Sequence, residues 1–245
     1  MIKKPSLHFA ELSKLAYKKA NVVKTKANKL GYTSTELFDY QGCECLVLEN
    51  DEILVLAFRG TEVKELSDIA ADLKAWRCKS DTTGRVHAGF YDYLDALWTP
   101  LYKHINARVR KNKNLYITGH SLGGALAILA GSRLQSRVKA VYTYGAPRVG
   151  NRKWLKNLLF DHHRFVNNND IVPRVPPILI GFRHCGTEKY IDYDGDLVKM
   201  TFWARIKDSV RGHWDSWKKF KFFDSVRDHS IDEYISKIRK IKNID

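Results

Sequence analysis

Cysteine and proline are scarce in this chain, with four Cys and six Pro among 245 residues. The thiols at 43, 45, 78 and 185 lack both the density of a disulfide scaffold and the paired CxxC spacing of a zinc site, so four reduced, partly buried cysteines are expected. Long apolar runs are missing too: the longest, Ile53 to Phe58 and Ala125 to Ala130, fall far below the ~18 residues that span a bilayer. The lysines after Met1 lead into no apolar core or small-residue cleavage site, so no Sec-type signal is read and a cytoplasmic location is the expectation. No Pro/Gly/Ser linker, repeat or low-complexity tract divides the chain, and residues 1–245 read as one domain. Acid is also short, with 27 Asp and Glu against 42 Lys and Arg, for a net charge of +15. Such an excess favours anionic surfaces, and an anionic membrane is a candidate partner. It is uneven: eight Lys and one Glu fall in residues 1–30, and five bases with no acid in 103–113. No zinc finger, aromatic RNA-binding signature or other nucleic-acid motif is present, so nucleic acid is not the expected partner.

What the chain does have is 44% apolar residues, ample for a buried core. Residues 7–29 repeat Leu, Ala and Tyr at helical spacing ahead of Gly31, which predicts an N-terminal helix. Cys45 to Glu49 and Ile53 to Phe58 flank Asn50-Asp51 and read as a strand pair. Strand-like and helix-like stretches then alternate: Leu115 to Thr118, Leu122 to Leu134, Ala140 to Tyr144, Asn151 to Phe160 and Arg164 to Asn167. That alternation implies crossovers and a mostly parallel sheet covered on both faces, an α/β fold. Phe182 to Tyr193 is expected as a late strand, and Trp203 to Phe220 and Ile231 to Ile241 as closing helices.

Gly119-His120-Ser121-Leu122-Gly123-Gly124 lies between the strand-like Leu115 to Thr118 and the Ala/Leu-rich helix. A GxSxG segment in that setting has the strand, tight turn and helix of a nucleophile elbow, with the helix N-terminus beside Ser121. A serine hydroxyl is a weak nucleophile and needs a histidine to take its proton, itself oriented by a carboxylate. On this architecture the order is Ser, acid, His. Asp170 follows the strand ending at Asn167 and is the favoured acid, over Asp161, Asp192, Asp194 and Asp196. Of the later histidines, His229 stands just before a helix and is the favoured base, with His213 second and His184 inside a strand-like run. Two N–H donors must hold the developing oxyanion. Leu122, after the nucleophile, is one candidate, and Thr61, in the turn Phe58-Arg59-Gly60-Thr61, the other.

These segments, with Val86-His87-Ala88-Gly89-Phe90, Tyr144-Gly145-Ala146-Pro147-Arg148-Val149-Gly150, Asn169-Asp170-Ile171-Val172-Pro173 and Asp228-His229, together resemble the class 3 lipases, the fungal triacylglycerol lipase-like branch of the α/β-hydrolases. The resemblance spans residues 58–229. It implies an α/β-hydrolase fold, a triad at Ser121, Asp170 and His229, and an oxyanion hole at Leu122 and Thr61. It further implies hydrolysis of lipid or small acyl esters through an acyl-enzyme, with no metal or cofactor. The family's lid position falls on residues 62–75, which begin with the charged stretch Glu62 to Ile69, so weak interfacial activation is expected. Residues 200–223 form a basic aromatic segment in which Trp203, Ile206, Val210, Trp214 and Trp217 recur on one helical stripe. It reads either as a helix packed on the sheet or as a membrane-surface helix. Phospholipase, thioesterase or acyltransferase chemistry would use the same constellation, and a silent basic binding module for membrane or nucleic acid is the reading from another class.

Overall fold

The computed structural model describes residues 2–60, 76–109, 113–168, 170–198, 228–242 and 244–245. The expected lid at 62–75, the basic aromatic segment at 200–223 and the helix expected over Trp203 to Phe220 lie outside the described residues, as do Thr61 and His213.

One mixed sheet organises the molecule. Its strands are β1 (Ser34–Tyr40), β2 (Cys43–Glu49), β3 (Ile53–Phe58), β6 (Asn114–His120), β7 (Val138–Tyr144), β8 (Asp161–Asn167), β9 (Thr187–Ile191) and β10 (Leu197–Val198), in that spatial order. The five strands β3, β6, β7, β8 and β9 are mutually parallel, and antiparallel strands finish both edges. Strands β4 (Arg77–Lys79) and β5 (Arg85–His87) form a small separate hairpin.

Strand β3 is wholly apolar because both its faces are covered. In β3, Leu54, Leu56 and Phe58 enter one core while Val55 and Ala57 enter the other, as period-2 alternation requires. Helices α3 (Ala88–Val109) and α4 (Leu122–Leu134) cover the first face. Helices α1 (Pro5–Leu15), α2 (Ala20–Lys29) and α6 (Ile231–Lys240) cover the second. Helix α4 is buried along nearly its whole length, so its sequence is apolar all round rather than amphipathic.

Several expectations need correction. The single helix over 7–29 is two, because the backbone turns after Ala16 and Lys19 is extended as it opens α2. The helix over Asn151 to Phe160 is one turn, α5 (Arg152–Leu155), capped by Asn151, whose side-chain oxygen accepts from the Trp154 N–H. The late strand is shorter than Phe182 to Tyr193, since Arg183 donates its N–H to Gly150 O in an isolated bridge before β9 begins. Helix α3 and strand β1 are not placed by the sequence reading. All four cysteines are free thiols, two buried and two half-buried.

Candidate active site

Ser121 sits between the C-terminal end of β6 and the first residue of α4, with φ 58° and ψ −130°. Positive φ in a residue with a side chain costs about 1–3 kcal/mol, which the surrounding packing must hold in place. The elbow is fixed by Ser121 N–H donating to Tyr144 O (3.0 Å) and by Gly124 N–H donating to Ser121 O (2.9 Å). Glycines make the turn feasible: a Cβ on Gly119 would stand 2.2 Å from Gly123 O, and one on Gly123 would stand 2.2 Å from Phe58 O. Strand β3 and the turn through Gly60 thus pack directly against the start of α4. Leu122 begins that helix, and a first-turn N–H has no partner within its own helix.

Asp170 follows β8 and is buried, its N–H donating to Asn167 O at 2.8 Å. Its carboxylate lies 2.9 Å from His229 Nδ1 through both oxygens. It also accepts from the Val172 N–H (2.9 Å) and from the Tyr234 hydroxyl (2.6 Å). Burial, with the nearby Asp170 charge, pushes the Tyr234 hydroxyl well above its ordinary range, so it remains a donor. Against a carboxylate, His229 Nδ1 is the donor, which leaves Nε2 to face outward.

His229 is held from behind. Its carbonyl accepts from His120 Nε2 at 2.6 Å, and His120 Nδ1 lies 2.9 Å from the Tyr17 hydroxyl. Because a carbonyl can only accept, His120 carries its proton on Nε2 and takes the Tyr17 O–H at Nδ1. Burial, and then the neighbouring His229, hold His120 well below the usual imidazole range, so it stays neutral. On the other side, Asn167 Nδ2 donates to Asp228 O (2.8 Å), tying the segment before α6 to the end of β8.

Gly145 completes the arrangement. A Cβ there would meet Asp170 Oδ2 at 2.6 Å and His229 Nδ1 at 3.0 Å, and Tyr144 just before it receives the Ser121 N–H. Ser121, Asp170 and His229 therefore gather at the C-terminal edge of the parallel strands, where sites on such sheets form. Ser121 Oγ and His229 Nε2 are both buried, and neither has a hydrogen-bond partner among the described residues. Buried polar groups are nearly always satisfied, so two bare ones at one sheet edge are free to engage a reacting partner.

The other sequence candidates lie elsewhere. His184 donates from Nε2 to Pro173 O at 2.6 Å, and Asp161 is the exposed first residue of β8. Asp192 and Asp196 bond to one another across the β9–β10 turn. Tyr17, His120 and Tyr234 are site residues that sequence reasoning missed; only His120 carried a signal, its place inside GxSxG. Among the described residues no cluster of His, Cys, Asp and Glu is arranged to hold a metal ion. Beyond Asp170 the chain exposes Ile171, Ile178, Leu179 and Ile180, with Leu179 98% accessible. Single exposed apolar side chains are ordinary, but four within ten residues form an apolar rim along the chain just after the acid.

Comparison with known proteins identifies the family. Residues 55–180 match the family model for lipase (class 3). The chain is 32% identical over 187 residues to Toxin TseL of Vibrio cholerae, covering 57% of this chain and 28% of that one. It is 32% identical over 183 residues to a lipase of Rhizopus niveus, covering 66% of this chain and 45% of that one. The crystal structure of a lipase from Rhizopus microsporus var. chinensis superposes with a TM-score of 0.66 at 27% identity, covering 77% of this chain and 74% of that one. The chain spans less than half the length of the curated relatives it matches. With an α/β-hydrolase fold and a family match across half of its residues, this chain belongs to the class 3 lipases.

Proposed function

We propose that this protein is a serine hydrolase that cleaves carboxylic esters of lipids through an acyl-enzyme. The observation that carries the reading is the buried Asp170–His229 pair at the same sheet edge as a strained, glycine-flanked Ser121, with Ser121 Oγ and His229 Nε2 both unpartnered among the described residues. Ser121 Oγ attacks the ester carbonyl carbon while its proton passes to His229 Nε2. The tetrahedral intermediate collapses, the C–O bond to the alcohol breaks, and the alcohol leaves with that proton. Water then gives a proton to His229 and attacks the acyl-enzyme, releasing the carboxylic acid and returning the proton to Ser121. Asp170 holds the imidazole in the tautomer that accepts at Nε2. The N–H of Leu122 is assigned to the oxyanion, with Thr61, the residue after Gly60, as second donor. Lipid rather than small polar esters is favoured by the apolar rim after Asp170 and by the lipase name of the Rhizopus niveus relative.

The test is Ser121→Ala assayed on a p-nitrophenyl ester and on a triacylglycerol emulsion. Turnover on both is expected to fall by roughly 10⁴-fold or more, with an unchanged circular dichroism spectrum. A variant that keeps the wild-type rate would remove Ser121 from the chemistry.

A further inference from the structure

The layer of α1, α2 and α6 carries a feature that ester hydrolysis does not use. Residues 2–30 and 231–242 hold twelve Lys and Arg against three acids, so nine of the fifteen net positive charges belong to this one layer. Between the helices runs a groove of about 280 Å³, bordered by exposed Lys18, Lys26 and Lys29 and half-buried Leu30, with the buried Leu15 and Ile235 beneath. Two further cations there are neutralised, since Lys14 pairs with Asp232 and Arg239 with Glu11. Lys18, Lys26 and Lys29 are exposed and form no ion pair among the described residues.

Ammonium groups on long apolar stems, gathered on one face, match the phosphates of an anionic lipid surface, with the stems lying against its apolar region. A nucleic acid would also satisfy the charge, but the sequence carries no nucleic-acid-binding motif. Neighbours of the groove's lining residues connect it with the active-site edge. Tyr17, next to Lys18, bonds His120, while Asp232, the partner of Lys14, is the third residue after His229. We infer that the α1–α2–α6 layer docks the protein on membranes rich in anionic phospholipid, which brings the edge bearing Ser121 to the lipid surface.

Docking is separable from catalysis, so the experiment uses the Ser121→Ala protein. Co-sedimentation is measured with phosphatidylcholine vesicles and with vesicles holding about 30% phosphatidylglycerol, at about 0.1 M salt. Binding to the anionic vesicles alone is expected, with at least about a tenfold loss of affinity in the triple variant Lys18→Gln, Lys26→Gln, Lys29→Gln. The triple variant Lys139→Gln, Lys153→Gln, Lys156→Gln removes equal charge from exposed sites away from the groove and is expected to keep affinity within about twofold. Circular dichroism checks that both remain folded. No preference for anionic vesicles would overturn the inference, as would equal loss in the two variants, or retention of duplex DNA by Lys18, Lys26 and Lys29 without vesicle binding.

Discussion

A methyl group on Gly145 would fall 2.6 Å from one Asp170 oxygen and 3.0 Å from His229 Nδ1, at a residue whose φ is 61°. Both the space and the backbone there are reserved for the acid–base pair. Gly145→Ala is therefore expected to lower kcat on a soluble ester by about tenfold or more, through displacement of the imidazole and left-handed strain. Steady-state kinetics beside a melting curve would show it; an unchanged kcat would mean the pair tolerates the shift. Tyr234→Phe removes a hydroxyl that donates to Asp170 and accepts the Asn167 N–H. Hydrogen bonds to charged groups contribute about 1.5–3 kcal/mol, so urea unfolding should show a loss of that order. The positions of Ser121, Asp170 and His229, the proposed nucleophile, acid and base, were legible in the sequence because each carries a local signature: a glycine-flanked turn, a strand end, a loop before a helix. Tyr17 and Tyr234 were not. They reach the site only when α1 and α6 pack across the sheet, and no spacing along the chain announces a contact between Tyr17 and His120.

At the scale of elements, α1 is anchored by Phe9, which is fully buried and stacks on Tyr142 (centroids 4.4 Å apart) beside Tyr116 (5.0 Å). Phe9→Ala should cost about 3–5 kcal/mol of stability in denaturant unfolding. Because α1 leads into Tyr17, activity should fall more steeply than the folded fraction if the Tyr17–His120–His229 chain matters. Strand β3 and helix α4 were readable because elements buried on every side are written as nearly continuous apolar runs, and β6, β7 and β8 because they alternate with helix-like stretches along the chain. Helix α3 contains Pro100, a residue that normally ends helices, and the exposed edge strand β1 interleaves Leu37, Phe38 and Tyr40 with polar residues. The break between α1 and α2 has no Gly or Pro to mark it, and Tyr17, which lies in it, bonds His120.

Across the whole molecule, buried neutral histidines link stability to pH. Burial holds His87 down at about 4 and His162 down at about 3, against an ordinary 6.5. Below pH 6.5 the unfolded chain takes up protons that these folded imidazoles refuse, so stability falls as pH drops toward 4 and is fully present above 6.5. A melting temperature that decreases steadily from pH 7 to pH 4 is expected, and a flat profile would contradict it. The same molecule carries nine of its fifteen net positive charges in one helical layer and Ser121 at the adjoining sheet edge, the arrangement on which the proposed docking and the proposed ester chemistry rest. The central claim is that Ser121 is an activated nucleophile, and the direct measurement is covalent labelling of the folded protein by a fluorophosphonate, with the site located by peptide mass spectrometry. Labelling confined to Ser121, and absent in Ser121→Ala, is the predicted result. Folded protein that stays unlabelled, or carries the label on another serine, would contradict the account.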